Sequence, residues 1–144
     1  MFSKSCEYGI KAILFIAQKS HKGERVSLKA IAAATNSPIA FTAKILQVLV
    51  KADLVDSTKG PHGGFQIEEE RLSKISIKQI VIAIDGNGIF KECALGLSAC
   101  SADKPCPMHH QFEAIRNQLD QTLASSNLLE VAMGLNKGLS VLKR

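Results

Sequence analysis

Apolar residues recur at helical spacing from the start of the chain. Phe2, Cys6, Ile10, Ile13, Leu14 and Ala17 share one face, which predicts an amphipathic helix of about four turns. It ends near Ser20-His21-Lys22-Gly23, and Arg25-Val26 reads as a short extended piece. Ser27 then offers an N-cap to a second, very short helix, Leu28 to Ala34, with Leu28, Ile31 and Ala32 inward. Thr35-Asn36-Ser37 carries turn chemistry. Ser37-Pro38 provides an N-cap followed by a proline at the first helical position, where its missing N–H costs nothing. The third helix that starts there should run to about Ala52, burying Ile39, Leu46, Leu49 and Val50 and presenting Ala40, Phe41, Lys44, Gln47 and Lys51.

The period then changes. Leu54-Val55-Asp56-Ser57 and Phe65-Gln66-Ile67 alternate as strands do, and the Gly- and Pro-rich run between them, Thr58 to Gly64, makes a hairpin with a basic tip. Ser76 caps a further helix from Ile77 to about Ile84, which ends at Asp85-Gly86-Asn87-Gly88. From there to Pro107 there is no periodicity. Met108, Phe112, Ile115, Leu119 and Leu123 then recur at spacings of 4, 3, 4 and 4, the stripe of a long helix from Pro107 to about Ala124. So small a body cannot bury a stripe on a projecting helix, so these five residues predict a homodimer. The tail, Asn127 to Arg144, has further helical character, weakened by Gly134 and Gly138.

The fold class expected is mainly α with a small β wing: a winged helix-turn-helix over residues 1–85, a cysteine loop over 86–107, and a dimerisation helix with a helical tail over 108–144. The length of 144 residues fits one globular unit with appendages. No apolar run approaches the roughly 18 to 20 residues that span a bilayer, and the chain opens without an apolar signal region, so the expected location is the cytoplasm with no membrane partner. The net charge of +5 makes a polyanion a plausible partner.

That charge matters because of the helix pattern. A helix-turn-helix sets the start of its second helix at base edges, while a wing reaches a neighbouring groove or phosphates. The residues placed to contact double-stranded DNA are Ser37, Ala40, Phe41, Thr42, Lys44 and Lys51, with Lys59 and His62 on the wing. The competing reading is packing: Phe41 is as well explained as a partly buried core residue, and surface lysines are commonly just solvated. The glycines of the hairpin favour the DNA reading, since they allow a backbone to approach something closely.

Four cysteines are present, three of them within fourteen residues as C-x6-C-x5-C: Cys93, Cys100 and Cys106. In a reducing compartment clustered thiols serve as ligands or redox groups rather than structural bridges. A flexible loop lets three thiolates converge on an iron–sulfur cluster. Cys106 sits where the long helix begins, so free amide groups there favour its thiolate, and His109 lies one turn on as a candidate fourth ligand. The alternatives are structural zinc, for which this spacing is wide, a redox disulfide, or inert clustering in what is a polar loop. His110 reads as a solvated helix residue and Cys6 as core.

With these residues in view, nearly the whole chain resembles the Rrf2 family of winged-helix transcription regulators, in particular its IscR- and NsrR-like iron–sulfur sensors. The resemblance rests on Glu7-Tyr8-Gly9-Ile10-Lys11-Ala12, on Leu28-Lys29-Ala30-Ile31-Ala32, and on Ile45 through Val55. It rests most specifically on the wing Lys59-Gly60-Pro61-His62-Gly63-Gly64-Phe65 and the loop from Cys93 to His109. It implies a homodimer crossed through the long helices, a pseudo-palindromic promoter site, and a [2Fe-2S] or [4Fe-4S] cluster held by the three loop cysteines. The fourth ligand is then either His109 or Glu7 of the partner subunit. An ion pair of Glu7 with Lys11 is the plainer reading of that acid.

The sequence departs from the family pattern in three places. The first cysteine gap is one residue longer than the common spacing, Ala43 replaces a base-discriminating acid, and Lys59 replaces a wing arginine. The function implied is a repressor whose promoter affinity follows nitric oxide or redox status through the cluster. A regulator of iron–sulfur supply and a cysteine or zinc module without a cluster are the alternatives. An enzyme is not expected, since no C-x-x-C motif is present.

Overall fold

Helix α1 (Lys4–His21) is the axis of the fold. Ser3 caps it by accepting the Cys6 N–H at 3.0 Å, and its Cys6, Ile13, Ile16 and Ala17 are fully buried. Around it pack α2 (Leu28–Thr35), α3 (Ile39–Lys51), α5 (Ile77–Asp85) and α8 (Leu128–Asn136). The computed structural model describes residues 1–136; the last part of the expected tail, 137–144, with Gly138, lies outside the described residues. Gly9 makes room for α5, because a Cβ there would lie 2.2 Å from Ile84 Cδ1.

The caps expected at Ser27 and Ser76 are formed. Ser27 Oγ accepts from Ala30 N at 3.2 Å, and Ser76 with Gln79 makes a reciprocal capping box at α5, each worth about 1 kcal/mol. Ser37 does not cap α3. Pro38 holds the N-cap position, and the Ser37 hydroxyl lies between Thr35 Oγ1 (2.9 Å) and Thr42 Oγ1 (2.5 Å). The turn is stiffened from within by this chain of hydroxyls, which local cap preferences do not reveal. Ile39, expected inside, is 48% exposed, and Ile45 is buried in its place.

Strands β1 (Asp56–Thr58) and β2 (Gly64–Gln66) form the antiparallel wing, with Ser57 opposite Phe65. Val26 adds a third rung, exchanging backbone hydrogen bonds with Phe65 at 3.0 and 2.8 Å. The glycines expected to serve an outside approach are used internally. A Cβ on Gly63 would lie 2.1 Å from the Thr58 carbonyl oxygen, and one on Gly64 (φ +135°) 2.6 Å from that of Val26. At the wing's base Arg71, on the short α4 (Glu69–Leu72), grips Asp56 through two hydrogen bonds of 3.0 and 3.1 Å.

After α5 come the single turn α6 (Gly88–Lys91), the cysteine loop, and α7 (His109–Ser125). Helix α7 is tied to α5 by the Lys78–Asp120 ion pair and by Ile77 N–H donating to Ser126 O at 2.9 Å. The segment expected to be a weak tail is core: Leu128 and Ala132 of α8 pack against α1, so the C-terminal part returns to the winged-helix body. Among the described residues no helix is long and apolar enough to cross a membrane.

Candidate functional site

Two regions carry chemistry, a reading face and a cysteine loop. On the first, Asn36 in the left-handed conformation (φ 53°) ends α2 and turns the chain into α3. Ala40, Lys44, Gln47 and Lys51 are exposed along one stripe of α3, and Lys59 and His62 are exposed at the wing tip. Leu28, Ala43, Gln47, Lys51, Lys59 and Phe65 are among the residues lining a groove of about 460 Å³ between helix and wing. This placement lets lysines meet phosphates on two sides of a polar helix face.

Three of the residues read as DNA contacts sit differently. Thr42 is 1% exposed, and its hydroxyl donates to Pro38 O at 2.9 Å, so it is not free to meet a base edge. Ser37 spends its hydroxyl in the same chain. Phe41 is half-buried, edge-on to Tyr8 with ring centroids 5.6 Å apart, as the packing reading had it. A residue that pattern reading missed is Arg25. Its Nε donates to Gln66 Oε1 at 2.7 Å and Nη1 to the His62 carbonyl at 3.4 Å, bracing the wing from the α1–α2 linker.

The cysteine loop runs from the end of α6 to the start of α7. All four cysteines are free; Cys6 is fully buried, whereas Cys93, Cys100 and Cys106 are half-buried. Gly96 (φ 72°) turns the loop back so that its N–H reaches the Cys93 carbonyl at 2.9 Å. The N–H groups of Leu97 and Leu95 point at the Cys93 sulfur and hold its thiol below the usual range, helped by the Cys106 side chain and the Arg116 charge. Cys100 Sγ lies 3.4 Å from His109 Nδ1 and accepts from Arg116 Nη2 at 3.3 Å. Arg116 Nη1 also donates to the Glu92 carbonyl at 3.3 Å, so one guanidinium ties the second cysteine to the segment just before the first. Nothing short-range in the sequence announces Arg116, which acts from the third turn of α7 onto a loop before it.

The sulfurs therefore stand as two pairs of donors, Cys93 with Cys106 and Cys100 with His109. Among the described residues the only three donor atoms of His, Cys, Asp or Glu all within 4.8 Å of one another belong to His109, His110 and Glu113. His109 is 5% exposed, and its Nε2 is buried without a hydrogen-bond partner. Glu7, on α1, pairs with Lys4 at 2.7 Å rather than Lys11, and the Lys4 hydrogen bond holds its carboxyl below the usual range. Among the described residues no hydrogen bond or ion pair joins Glu7 to Cys93, Cys100 or Cys106.

The stripe on α7 is open. Ile115 is 58% and Met108 40% exposed, while Phe112, Leu119 and Leu123 are half-buried. Phe112, Ile115 and Leu119 line a groove of about 400 Å³ together with Met1, Ile89 and Cys93, which sets the apolar stripe and the cysteine loop side by side.

Comparison with known proteins bears on the family and the fold. The model of the Rrf2 family, described as iron-dependent transcriptional regulators, matches residues 2–133. A protein of Aquifex aeolicus named "Putative HTH-type transcriptional regulator" is 29% identical over 133 residues, 91% of this chain and 90% of its own. IscR of Photorhabdus laumondii is 25% identical over 86% of this chain and 74% of its own length. Among solved structures, CymR, the global cysteine regulator of B. subtilis, superposes with a TM-score of 0.77 at 24% identity, covering 92% of this chain and 96% of that one. The IscR of T. potens gives 0.74 at 21% identity over 98% and 92%. The fold is thus the winged helix of these regulators, and the relatives are transcription regulators rather than enzymes. The chain belongs to the Rrf2 family of transcriptional regulators.

Proposed function

We propose that this chain is a homodimeric repressor whose affinity for promoter DNA is set by an iron–sulfur cluster held by Cys93, Cys100 and Cys106. His109 or Glu7 of a second copy takes the fourth place. The observation that carries this reading is the loop itself. Three free thiols lie in one segment whose sulfurs already receive backbone N–H groups and a guanidinium, the same hydrogen bonds that stabilise cluster sulfur. A buried imidazole stands beside them with one ring nitrogen 3.4 Å from Cys100 Sγ.

When bound, such a cluster supplies iron that exchanges a labile ligand for nitric oxide or oxygen. The chain's own residues supply the transmission. Arg116 couples Cys100 to α7, and α6 joins the loop to the end of α5, where Asp85 accepts from Ser3 N–H at 2.9 Å and so meets the start of α1. A change in the loop is thereby felt at the α7 stripe and at the body that carries α3. On the DNA side, Lys44, Lys51 and Lys59 bind phosphates, while Ala40 and Gln47 lie over bases. A carboxylate is the more labile fourth ligand and suits a signal sensor, whereas the histidine suits a sensor of cluster supply.

The test is absorption of protein reconstituted anaerobically with iron and sulfide. The parent and Cys6→Ala should be brown with visible bands, and Cys93→Ala, Cys100→Ala and Cys106→Ala should lose or strongly weaken them. Colourless parent protein that retains zinc would refute the cluster.

A further inference from the structure

We propose that the first turns of α7 hold a divalent transition-metal ion of the zinc class on His109 Nε2, His110 Nδ1 and the Glu113 carboxylate, a site that adjoins the cysteine loop through His109 and takes none of its sulfurs. The three donor atoms lie within 4.8 Å of one another. Glu113 Oε2 is 3.9 Å from His109 Nε2 and 3.8 Å from His110 Nδ1. Ligand bonds of about 2.0–2.2 Å in a tetrahedral set put donors about 3.4 Å apart, so each imidazole must come about half an ångström closer to Glu113, and the two rings must turn toward each other from within 4.8 Å. Two imidazoles and one carboxylate are donors that suit zinc.

The second observation is the state of His109. The residue is 5% exposed, and Nε2 is shut away from water, has no hydrogen-bond partner and faces Glu113. A buried ring nitrogen left in this way is costly, and an ion between it and the carboxylate satisfies both. The side chains of His110 and Glu113 are 76% and 48% exposed, so the ion has a path from solvent and an open face for water. Glu113 stands four residues after His109 and three after His110, so its carboxylate lies one turn on from both rings and between them.

Occupation has a consequence for the neighbouring loop. With Nε2 on the ion the ring proton resides on Nδ1, 3.4 Å from Cys100 Sγ, so His109 donates to that sulfur and does not ligate through Nδ1. The fourth place at the cysteine site then falls to Glu7 of a second copy.

The experiment uses untagged full-length protein with Cys93, Cys100 and Cys106 all replaced by Ser, titrated with Co²⁺ and then Zn²⁺; its outcome does not depend on whether a cluster exists. One equivalent of Co²⁺ should bind with visible ligand-field bands and no sulfur charge-transfer band, and one equivalent of Zn²⁺ should displace it. His110→Ala and Glu113→Gln should each weaken binding by more than the roughly 10- to 100-fold that loss of an outer-shell partner costs. Should the triple variant fail to fold, histidine-ring NMR of the parent serves: Zn²⁺ should shift His109 Nε2 and leave a protonated Nδ1. Absence of saturable Co²⁺ binding, binding indifferent to both substitutions, or a His109 ring unmoved by Zn²⁺ would overturn the proposal.

Discussion

Thr42→Val separates a residue that builds the recognition helix from one that reads DNA. The native hydroxyl donates to Pro38 O at 2.9 Å and meets Ser37 Oγ, at a position 1% exposed. Its removal orphans no partner, because Pro38 O still accepts the Thr42 N–H at 2.9 Å and Ser37 Oγ still meets Thr35 Oγ1 at 2.9 Å. The loss is therefore that of one or two ordinary hydrogen bonds, about 0.5–1.5 kcal/mol each, offset by about 0.8 kcal/mol for the buried methyl gained. A net destabilisation of about 1 kcal/mol follows, or ~3 to 4 °C in Tm for a chain of this size. Urea unfolding at fixed protomer concentration should show a lower midpoint with an unchanged slope. Sites selected from random DNA by the variant should match those selected by the parent. Unchanged stability with an altered base preference would refute the reasoning and return Thr42 to the DNA interface.

Gly64→Ala should destabilise the wing by about 1–3 kcal/mol, because φ is +135° and the new Cβ would press on the Val26 carbonyl; an unchanged thermal midpoint would count against the Val26–Phe65 rung. Ile115→Lys with Leu119→Lys should give monomers in sedimentation, whereas a parent that is already monomeric at micromolar concentration removes the dimer. Cys6 should resist alkylation in the native protein while the loop cysteines react, since burial pushes its thiol from 9.0 to about 12. Its linked stability is complete below pH 9 and is lost as pH rises toward 12, because the unfolded thiol ionises first. Cys6→Ala should therefore flatten the alkaline limb of the stability profile, and an unaltered limb would deny the shift.

The parts of the fold legible in the sequence are those settled locally. Ser27 and Ser76 cap helices because an N-cap needs only its own side chain and amides two or three residues on, and the α1 stripe is visible because one face of a helix repeats. Ser37 misled for the opposite reason: its hydroxyl is taken by Thr42, a partner chosen by the shape of the turn. Gly134 lowers the helix propensity of the α8 segment and makes it look like a weak tail, yet Leu128 and Ala132 hold it against α1 through tertiary burial. The grouping of three thiols in one loop is legible from their spacing. Arg116, Glu113 and Arg25 were not, since each acts on a segment far along the chain, and only the fold shows that α7 passes beside the loop.

The most direct test of the central claim is anaerobic DNA affinity, measured by fluorescence anisotropy on a selected site, for reconstituted protein, cluster-free protein, and reconstituted protein treated with nitric oxide. The proposed regulator predicts that affinity differs by about tenfold or more between the cluster-loaded form and the other two, a coupling of ~1.4 kcal/mol or larger. Cys100→Ala should abolish the difference. Equal affinity in all three states, with the parent folded and its cluster intact before treatment, would contradict it.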